Sequence, residues 1–255
     1  MSWDLSHVWF DLEFLGDLND GTDQCSIYEI AAINEDDVVY QEFCDPCPGE
    51  PIIPVPFHKD CFRITRGYIN EHNIDTVAIV LGRFVEYLAS SITGDSNGVV
   101  LLSHGCFRSD KPILMHTVLQ NAIEWPSWVR FADTLQLSRV CLLQQPSYRL
   151  CDLYVNLVGC CIKEPHSATY DAMATKSVLG RIRDWQTRMV HYSLHDPPLS
   201  NVKHIGAKTE LKLVSGGFFE TLNIDHYTFL SDPQRKSLHE FIVKYTKGNK
   251  NNQSF

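Results

Sequence analysis

The sequence lacks any hydrophobic run of the length that a membrane span needs. A spanning helix takes about 20 consecutive apolar residues, and no stretch of the 255 residues approaches that length. The first 13 residues also lack the basic start and apolar block of a secretory signal, and they carry acids instead. We therefore expect a soluble intracellular protein, cytoplasmic or nuclear and not secreted.

A cysteine pattern typical of a disulfide framework is also missing. The nine cysteines are an odd number. Cys141, Cys151, Cys160 and Cys161 fall inside apolar runs, which predicts reduced thiols packed as small hydrophobic side chains.

A second cysteine pair is absent where a zinc site would need one. Cys44 and Cys47 have the C-x-x-C spacing of zinc ligands, but no other such pair follows them. His58 and Cys61 lie close enough in sequence to complete a site, although such motif fragments are more often ordinary loop cysteines. The glycine pair at 216–217 has no phosphate-loop lysine beside it and predicts a turn or bulge.

Basic residues are scarce overall, with a formal net charge of -9, but the deficit is uneven. Residues 1–162 hold 9 basic and 22 acidic residues, a net charge of -13, whereas residues 163–255 have a net charge of +4. This asymmetry fits an acidic metal-binding centre flanked by a basic face, and an ordinary solvated surface explains it as well. Composition is otherwise globular, at 44% hydrophobic and 21% charged residues.

Hydrophobic periodicity predicts strands that alternate with helices. The run VVLLS at 99–103 is typical of a central strand covered on both faces, and residues 77–88 place apolar side chains at three-and-four spacing on one helical face. We predict strands at 7–14, 26–33, 38–40, 99–103 and 129–133. We predict helices at 76–92, 110–123, 150–158 and 167–185. This order indicates an α/β fold with a mixed central sheet led by an antiparallel hairpin.

Beyond Trp185 the pattern loosens. We predict a domain boundary there, with residues 1–185 as the main domain and residues 186–255 as a small α+β appendage. Within the appendage, residues 211–222 are strand-like, residues 231–245 form a capped helix, and the polar tail 247–255 is expected to be disordered.

Four acids and one histidine stand at the ends of these elements. Asp11 and Glu13 are two residues apart on the first strand, so their side chains share a face. A buried pair of carboxylates is costly unless a cation compensates, which indicates a divalent metal. Asp110 begins a helix just after the buried strand 99–103, and His166 precedes Asp171 on a later helix.

These segments resemble the three motifs of the DEDDh exonuclease family, a branch of the RNase H-like superfamily. The motifs are FDLEFLG at 10–16, HGCFRSDKPIL at 104–114 and HSATYDAMAT at 166–175. Intervening pieces such as IYEIAAI and FADTLQLSRV are similar as well, and the resemblance runs from about residue 7 to 185. The second motif is similar in spacing to TREX-type enzymes.

The resemblance implies roles for the five residues. Asp11, Glu13, Asp110 and Asp171 are carried over as ligands of two divalent cations, Mg²⁺ or Mn²⁺, and His166 as the general base. Oxygen ligands favour these hard ions over zinc, and an imidazole can accept a proton near neutral pH. The histidine branch of the family fits better than the tyrosine branch, because the tyrosine position holds Ser167.

The first motif ends in Phe14-Leu15 where the family has a threonine-rich segment, and Gly105 stands where asparagine is common. The terminal nucleotide can then stack on Phe14 or be wedged by Leu15, and Arg108 is our first choice for a phosphate contact. The predicted substrate-binding residues are Leu12, Phe14, Leu15, His104, Phe107 and Arg108.

By this resemblance we expect a metal-dependent 3′-5′ exonuclease that releases 5′-mononucleotides. The expected substrates are single-stranded DNA or the 3′ ends of duplex DNA, with DNA slightly favoured over RNA. TREX-like relatives form dimers, so a homodimer is also an expectation. The alternative is a catalytically silent nuclease-fold module that binds nucleic acid as a scaffold.

Overall fold

The structure is a computed structural model that describes residues 5–18, 20–52, 64–142, 144–186, 189, 202–206, 209, 212–213 and 223–251. The strands are β1 (Ser6–Leu15), β2 (Ser26–Asn34), β3 (Val39–Phe43), β4 (Val99–Ser103) and β5 (Val129–Asp133). The helices are α1 (Arg66–His72), α2 (Val77–Ser90), α3 (Asp110–Gln120), α4 (Thr134–Cys141), α5 (Leu150–Val158), α6 (Ala168–Leu179) and α7 (Asp232–Asn251). Short 3-10 turns cover Thr22–Gln24 and Ile224–His226.

The five strands form one mixed sheet in the order β3-β2-β1-β4-β5. β1 pairs antiparallel with β2, and β2 pairs antiparallel with β3. On its other side β1 pairs parallel with β4, which pairs parallel with β5. The predicted mixed α/β sheet led by an antiparallel hairpin is confirmed, and β1 lies at its centre.

The alternation of side chains along β1 divides the core into two faces. Phe10 and Leu12 are buried in the cluster that also contains Phe84 of α2 and Leu114 of α3. Trp9 points to the opposite face, into the cluster that contains Ala172 of α6. Residues 11 and 13 continue the Trp9 face, because side chains on a strand alternate with period two.

Two short helices were missed by the sequence analysis. Helix α1 is seven residues long with Ile69 as its one buried side chain, too short to show an apolar period. Helix α4 begins where the Asp133 carboxylate accepts a hydrogen bond from the N–H of Leu135. That cap starts a helix directly after β5, without the usual loop.

Helix α6 ends at Leu179, six residues before the predicted end. Gly180 follows it, and the chain then turns while Ile182 and Trp185 remain buried against the α6 side of the sheet. The apolar pattern therefore continued past the helix because these two side chains of the following segment are buried as well.

The C-terminal part has its own hydrophobic cluster, formed by Ile205, Leu213, Ile224, Tyr227, Leu230, Leu238 and Phe241. The predicted strand at 211–222 is wrong at residues 212 and 213, which are helical, and its other positions lie outside the described residues. The tail prediction is wrong for residues 247–251, because α7 continues to Asn251. Adding one hydrogen bond per residue extends a formed helix even through polar sequence.

The prediction of packed thiols is wrong for three of the four cysteines that supported it. Cys151, Cys160 and Cys161 are exposed, and Cys141 is half-buried. The three exposed cysteines lie on α5 or in the turn after it, where apolar neighbours in sequence do not bury them. No helix among the described residues is long and apolar enough to cross a membrane.

Candidate active site

Strand β1 carries the first two acids of the site. Glu13 is buried with 6% of its surface exposed, and Asp11 is half-buried. The pairing register with β2 shifts between Glu13 and Phe14, so the strand is irregular just after the acidic pair. A shift of this kind is common beside functional sites because it redirects the side chains that follow.

Asp110 reaches the same place from the first turn of α3. Its carboxylate accepts hydrogen bonds from the hydroxyls of Ser103 and Ser109, both at 2.9 Å to Oδ2, and from the backbone N–H of Leu12. The Leu12 contact joins α3 to β1 beyond the point where β1 and β4 stop pairing. Burial raises the pKa of Asp110 to about 6, although the hydrogen bonds oppose the rise.

The loop 104–109 that delivers Asp110 is held by Asp133 at the end of β5. The Asp133 carboxylate accepts the N–H of Gly105 at 3.0 Å and the N–H of Phe107 at 3.4 Å. Gly105 adopts φ +90°, a conformation that glycine reaches without steric cost. Glycine at position 105 therefore suits the turn that the loop makes here.

Asp171 and His166 approach from the α6 side. The backbone N–H of His166 donates a hydrogen bond to Oδ2 of Asp171 at 3.1 Å, and His166 is exposed with φ +62°. Glu13, His166 and Asp171 each present a ligand atom, and these atoms lie within 4.8 Å of one another. The imidazole is therefore close to two of the carboxylates.

The electrostatics of Asp11 show that the four acids share one space. Burial raises the pKa of Asp11 well above its ordinary value, and the negative charges of Asp110, Glu13 and Asp171 raise it further. Burial raises the pKa of Asp171 as well, opposed by the His166 hydrogen bond. Carboxylates crowded in this way repel one another unless protons or cations are bound.

The donor set fits hard divalent cations. Asp11, Glu13, Asp110 and Asp171 offer carboxylate oxygens, the ligands that Mg²⁺ and Mn²⁺ prefer. The pKa values of Asp11, Asp110 and Asp171 are raised, which means that their negative charges are unfavourable here unless a positive charge is bound beside them. Sequence reasoning placed these four residues together, and the structure gathers them at one end of β1; their roles as ligands stay a prediction.

The predicted substrate-binding residues differ in their exposure. The side chains of Leu12, Leu15 and Phe107 are buried in the core. Phe14 is half-buried and Arg108 is exposed, so these two are accessible to a ligand. The three buried side chains can form part of the wall of the site. Phe14 and Arg108 can contact a substrate directly.

His104 is engaged within the fold. Its Nδ1 lies 3.2 Å from the Thr134 hydroxyl and its Nε2 lies 2.7 Å from the Tyr148 carbonyl oxygen. Burial lowers the pKa of His104 to about 4, which keeps the ring neutral. The ring joins the end of β4 to the loop before α5, and a contact with substrate remains a prediction.

Sequence reasoning missed a fifth carboxylate. Glu29 pairs directly opposite Glu13 across β1 and β2, is 1% exposed, and accepts a hydrogen bond from Gln41 Nε2 at 2.8 Å. Its negative charge also raises the pKa of Asp11. The available signal was a single acid inside the apolar run IYEIAAI, because a charge within a buried strand needs a partner.

The other candidate sites serve the fold. Cys44 is buried and its thiol donates to the carbonyl oxygen of Ile27 at 3.2 Å, so it does not face a zinc site with Cys47. Arg66, near these cysteines, pairs with Asp45 at 2.5 Å. The remaining zinc candidates, His58 and Cys61, and the glycines at 216–217 lie outside the described residues.

This sheet order with flanking helices is an RNase H-like α/β fold, which confirms the expected fold class. E. coli exonuclease I, solved in complex with a 5cy-dT13 oligonucleotide, is similar with a TM-score of 0.55 and 17% sequence identity, covering 73% of this chain and 43% of that one. Cell-death related nuclease 4 (CRN-4) is similar with a TM-score of 0.53 and 13% identity, covering 69% and 62%.

The chain spans less than two thirds of the length of either protein. Neither a protein-family model nor a curated protein sequence matches it. At these sequence identities the similarity shows the fold alone. The function of the site follows from the residues of this chain.

Proposed function

We propose that the protein is a metal-dependent 3′-5′ exonuclease that hydrolyses nucleic acid and releases 5′-mononucleotides. The observation that carries the proposal is that the charges of Asp110, Glu13 and Asp171 act on Asp11, while the His166 imidazole lies beside Glu13 and Asp171. The fold supports it, because two nucleases share this architecture and one of them was solved with an oligonucleotide.

Each residue has a role that its position allows. Asp11, Glu13, Asp110 and Asp171 are the residues that would hold the cations. Two divalent cations held there would supply an activated water and would stabilise the charge on the leaving 3′ oxygen. His166 accepts the proton of the attacking water, because its imidazole is exposed to solvent beside Glu13 and Asp171.

The substrate contacts belong to the same proposal. Phe14 follows the acidic pair directly and is half-buried, so its ring can stack on the terminal base. Arg108 is exposed two residues before Asp110, where its guanidinium can bind a backbone phosphate. Neither contact reads the sugar, so the slight preference for DNA over RNA is to be decided by experiment.

The test is digestion of 5′-labelled single-stranded DNA and RNA of one sequence with Mg²⁺, Mn²⁺ or EDTA. Wild-type protein should shorten the strand from its 3′ end only when a metal is present. Asp11→Asn should abolish cleavage, because it removes a ligand without changing the side-chain shape. Glu86→Gln is the matched control, an exposed acid on α2 that should cleave like the wild type.

Two results would contradict the proposal. Cleavage by Asp11→Asn at the wild-type rate would remove the acidic cluster from the mechanism. Binding of both polymers by the wild type without any metal-dependent cleavage would favour the silent binding module instead.

A further inference from the structure

Two serine hydroxyls converge on a single oxygen of Asp110. Ser103 Oγ and Ser109 Oγ both lie 2.9 Å from Oδ2 of Asp110. Ser103 is the last residue of β4 and is 0% exposed, whereas Ser109 comes from the loop directly before α3. Donors from two separate segments therefore fix the same carboxylate oxygen.

The hydroxyl of Ser103 donates its hydrogen bond to a charged acceptor, the Asp110 carboxylate. It also contacts the thiol of the fully buried Cys106, and a thiol is only a weak partner. Ser109 Oγ has a second acceptor in the carbonyl oxygen of Gly105 at 3.3 Å. The carboxylate contact is the shorter one and has a charged acceptor, so it is the stronger bond.

The loop has other hydrogen bonds that hold its shape. Asp133 already holds the N–H groups of Gly105 and Phe107, and the Thr134 hydroxyl holds the carbonyl oxygen of Ser103 at 3.2 Å. Ser109 occupies the N-cap position of α3 without a side-chain capping bond. We therefore expect that removing either hydroxyl changes the orientation of the Asp110 carboxylate more than it changes the fold.

We propose that Ser103 and Ser109 are positioning residues that orient Asp110 for a divalent cation. With Oδ2 held by both hydroxyls, the orientation of the carboxylate toward a metal is fixed. Partners that orient a ligand in this way typically change metal affinity by 10- to 100-fold when they are removed. The inference rests on the proposed metal site, but not on turnover.

The experiment measures Mn²⁺ binding to the full chain by titration calorimetry, without nucleic acid. We expect Ser109→Ala and Ser103→Ala each to weaken Mn²⁺ binding about tenfold, and the double variant to weaken it further. Ser109→Thr keeps a hydroxyl and should restore near wild-type binding. Ser177→Ala is the matched control, because its hydroxyl donates to the Met173 carbonyl on α6.

Circular dichroism and thermal melting of each variant separate orientation from folding. Ser103 is fully buried, and Ser103→Ala could fail to fold for that reason. In that case Ser109→Ala and Ser109→Thr, compared with each other, test the proposal. Wild-type Mn²⁺ affinity in a folded Ser109→Ala protein would overturn the proposal, and so would equal weakening in Ser109→Thr.

Activity gives a second and separate readout. If the variants lose rate because the cation binds weakly, raising the Mn²⁺ concentration should restore kcat, with the half-saturating concentration shifted about tenfold. A loss of kcat that excess metal does not restore would contradict a positioning role. If the wild type binds Mn²⁺ but cleaves nothing, the proposed exonuclease function fails while the inference on Ser103 and Ser109 stands.

Discussion

The backbone N–H of His166 donates a hydrogen bond to Oδ2 of Asp171 at 3.1 Å, so the residue proposed as base is tied to a residue proposed as ligand. The contact uses the main chain and leaves the imidazole free to act on its own. His166 has φ +62°, a conformation in which asparagine is tolerated better than most residues. The side chain and the backbone contact can therefore be separated by substitution.

His166→Asn should fold like the wild type and lose about 10²- to 10⁴-fold in kcat, the usual contribution of a general base. Its Mn²⁺ affinity should change little, because the four acids remain. Single-turnover kinetics and Mn²⁺ calorimetry on the same protein check both statements. A parallel fall in affinity would instead make His166 a ligand, which its position near Glu13 and Asp171 allows.

Without metal, the protein should become less stable as pH rises from about 4 to above 6. The pKa of Asp110 is raised by burial from 3.8 to about 6, so in this window the folded state binds more protons than the unfolded state. A shift of this size corresponds to about 3 kcal/mol lost from the free energy of unfolding. Urea unfolding in EDTA at a series of pH values measures it.

Asp110→Asn provides the control for this pH dependence. Its neutral amide removes the charge that burial penalises, so at pH 8 in EDTA the variant should be more stable than the wild type. Added Mg²⁺ should raise the melting temperature of the wild type more at pH 8 than at pH 5, and should leave that of the variant nearly unchanged. A variant less stable than the wild type at pH 8 in EDTA would contradict the burial argument.

Arg108→Gln should weaken binding of single-stranded DNA and lower the slope of its salt dependence by about one, as expected for one lost phosphate contact. Binding is measured in EDTA by fluorescence anisotropy at several salt concentrations. Arg130→Gln is the control, since Arg130 is also exposed but donates to the Ser127 carbonyl. Equal effects of the two substitutions would indicate general charge and not a specific contact.

Lys176→Met should lower the free energy of unfolding by about 1 to 3 kcal/mol, the range for hydrogen bonds to charged groups. Lys176 Nζ donates to the Asn34 carbonyl at 2.7 Å, pairs with Asp37 at 2.7 Å and lies 4.9 Å from the Trp9 ring centroid. It therefore fastens the β2–β3 turn to α6, which carries Asp171. Urea unfolding measures the loss.

Asp37→Asn should cost much less, because Asp37 is 79% exposed and surface ion pairs contribute little. A larger loss in Asp37→Asn than in Lys176→Met would show that the carbonyl and ring contacts are unimportant.

Thiol labelling of the native protein should separate the cysteines by exposure. Cys151, Cys160 and Cys161 are exposed and should react first, whereas Cys44 and Cys106 should react only after unfolding, because burial raises the pKa of both thiols. Peptide mapping by mass spectrometry assigns each label. Early labelling of Cys106 would contradict the packing of the loop before α3.

Local sequence was enough to predict the bounds of those strands and helices that show a clear hydrophobic pattern. The bounds of β4 and β5 and of α5 were predicted correctly, because an apolar run or a helical period is set within a few residues. The same period of two placed Asp11 and Glu13 on one face of β1. Short elements such as α1 and α4 carried too few apolar positions to be seen.

The sequence by itself determined three short motifs, and their resemblance to the DEDDh exonuclease family singled out the five residues of the proposed chemistry. Only the tertiary structure decided what surrounds them. Glu29 lies opposite Glu13, and Asp133 holds Gly105 from 28 positions away, because strand pairing and loop packing bring distant segments together. Such contacts depend on how the whole chain packs, and no local pattern encodes them.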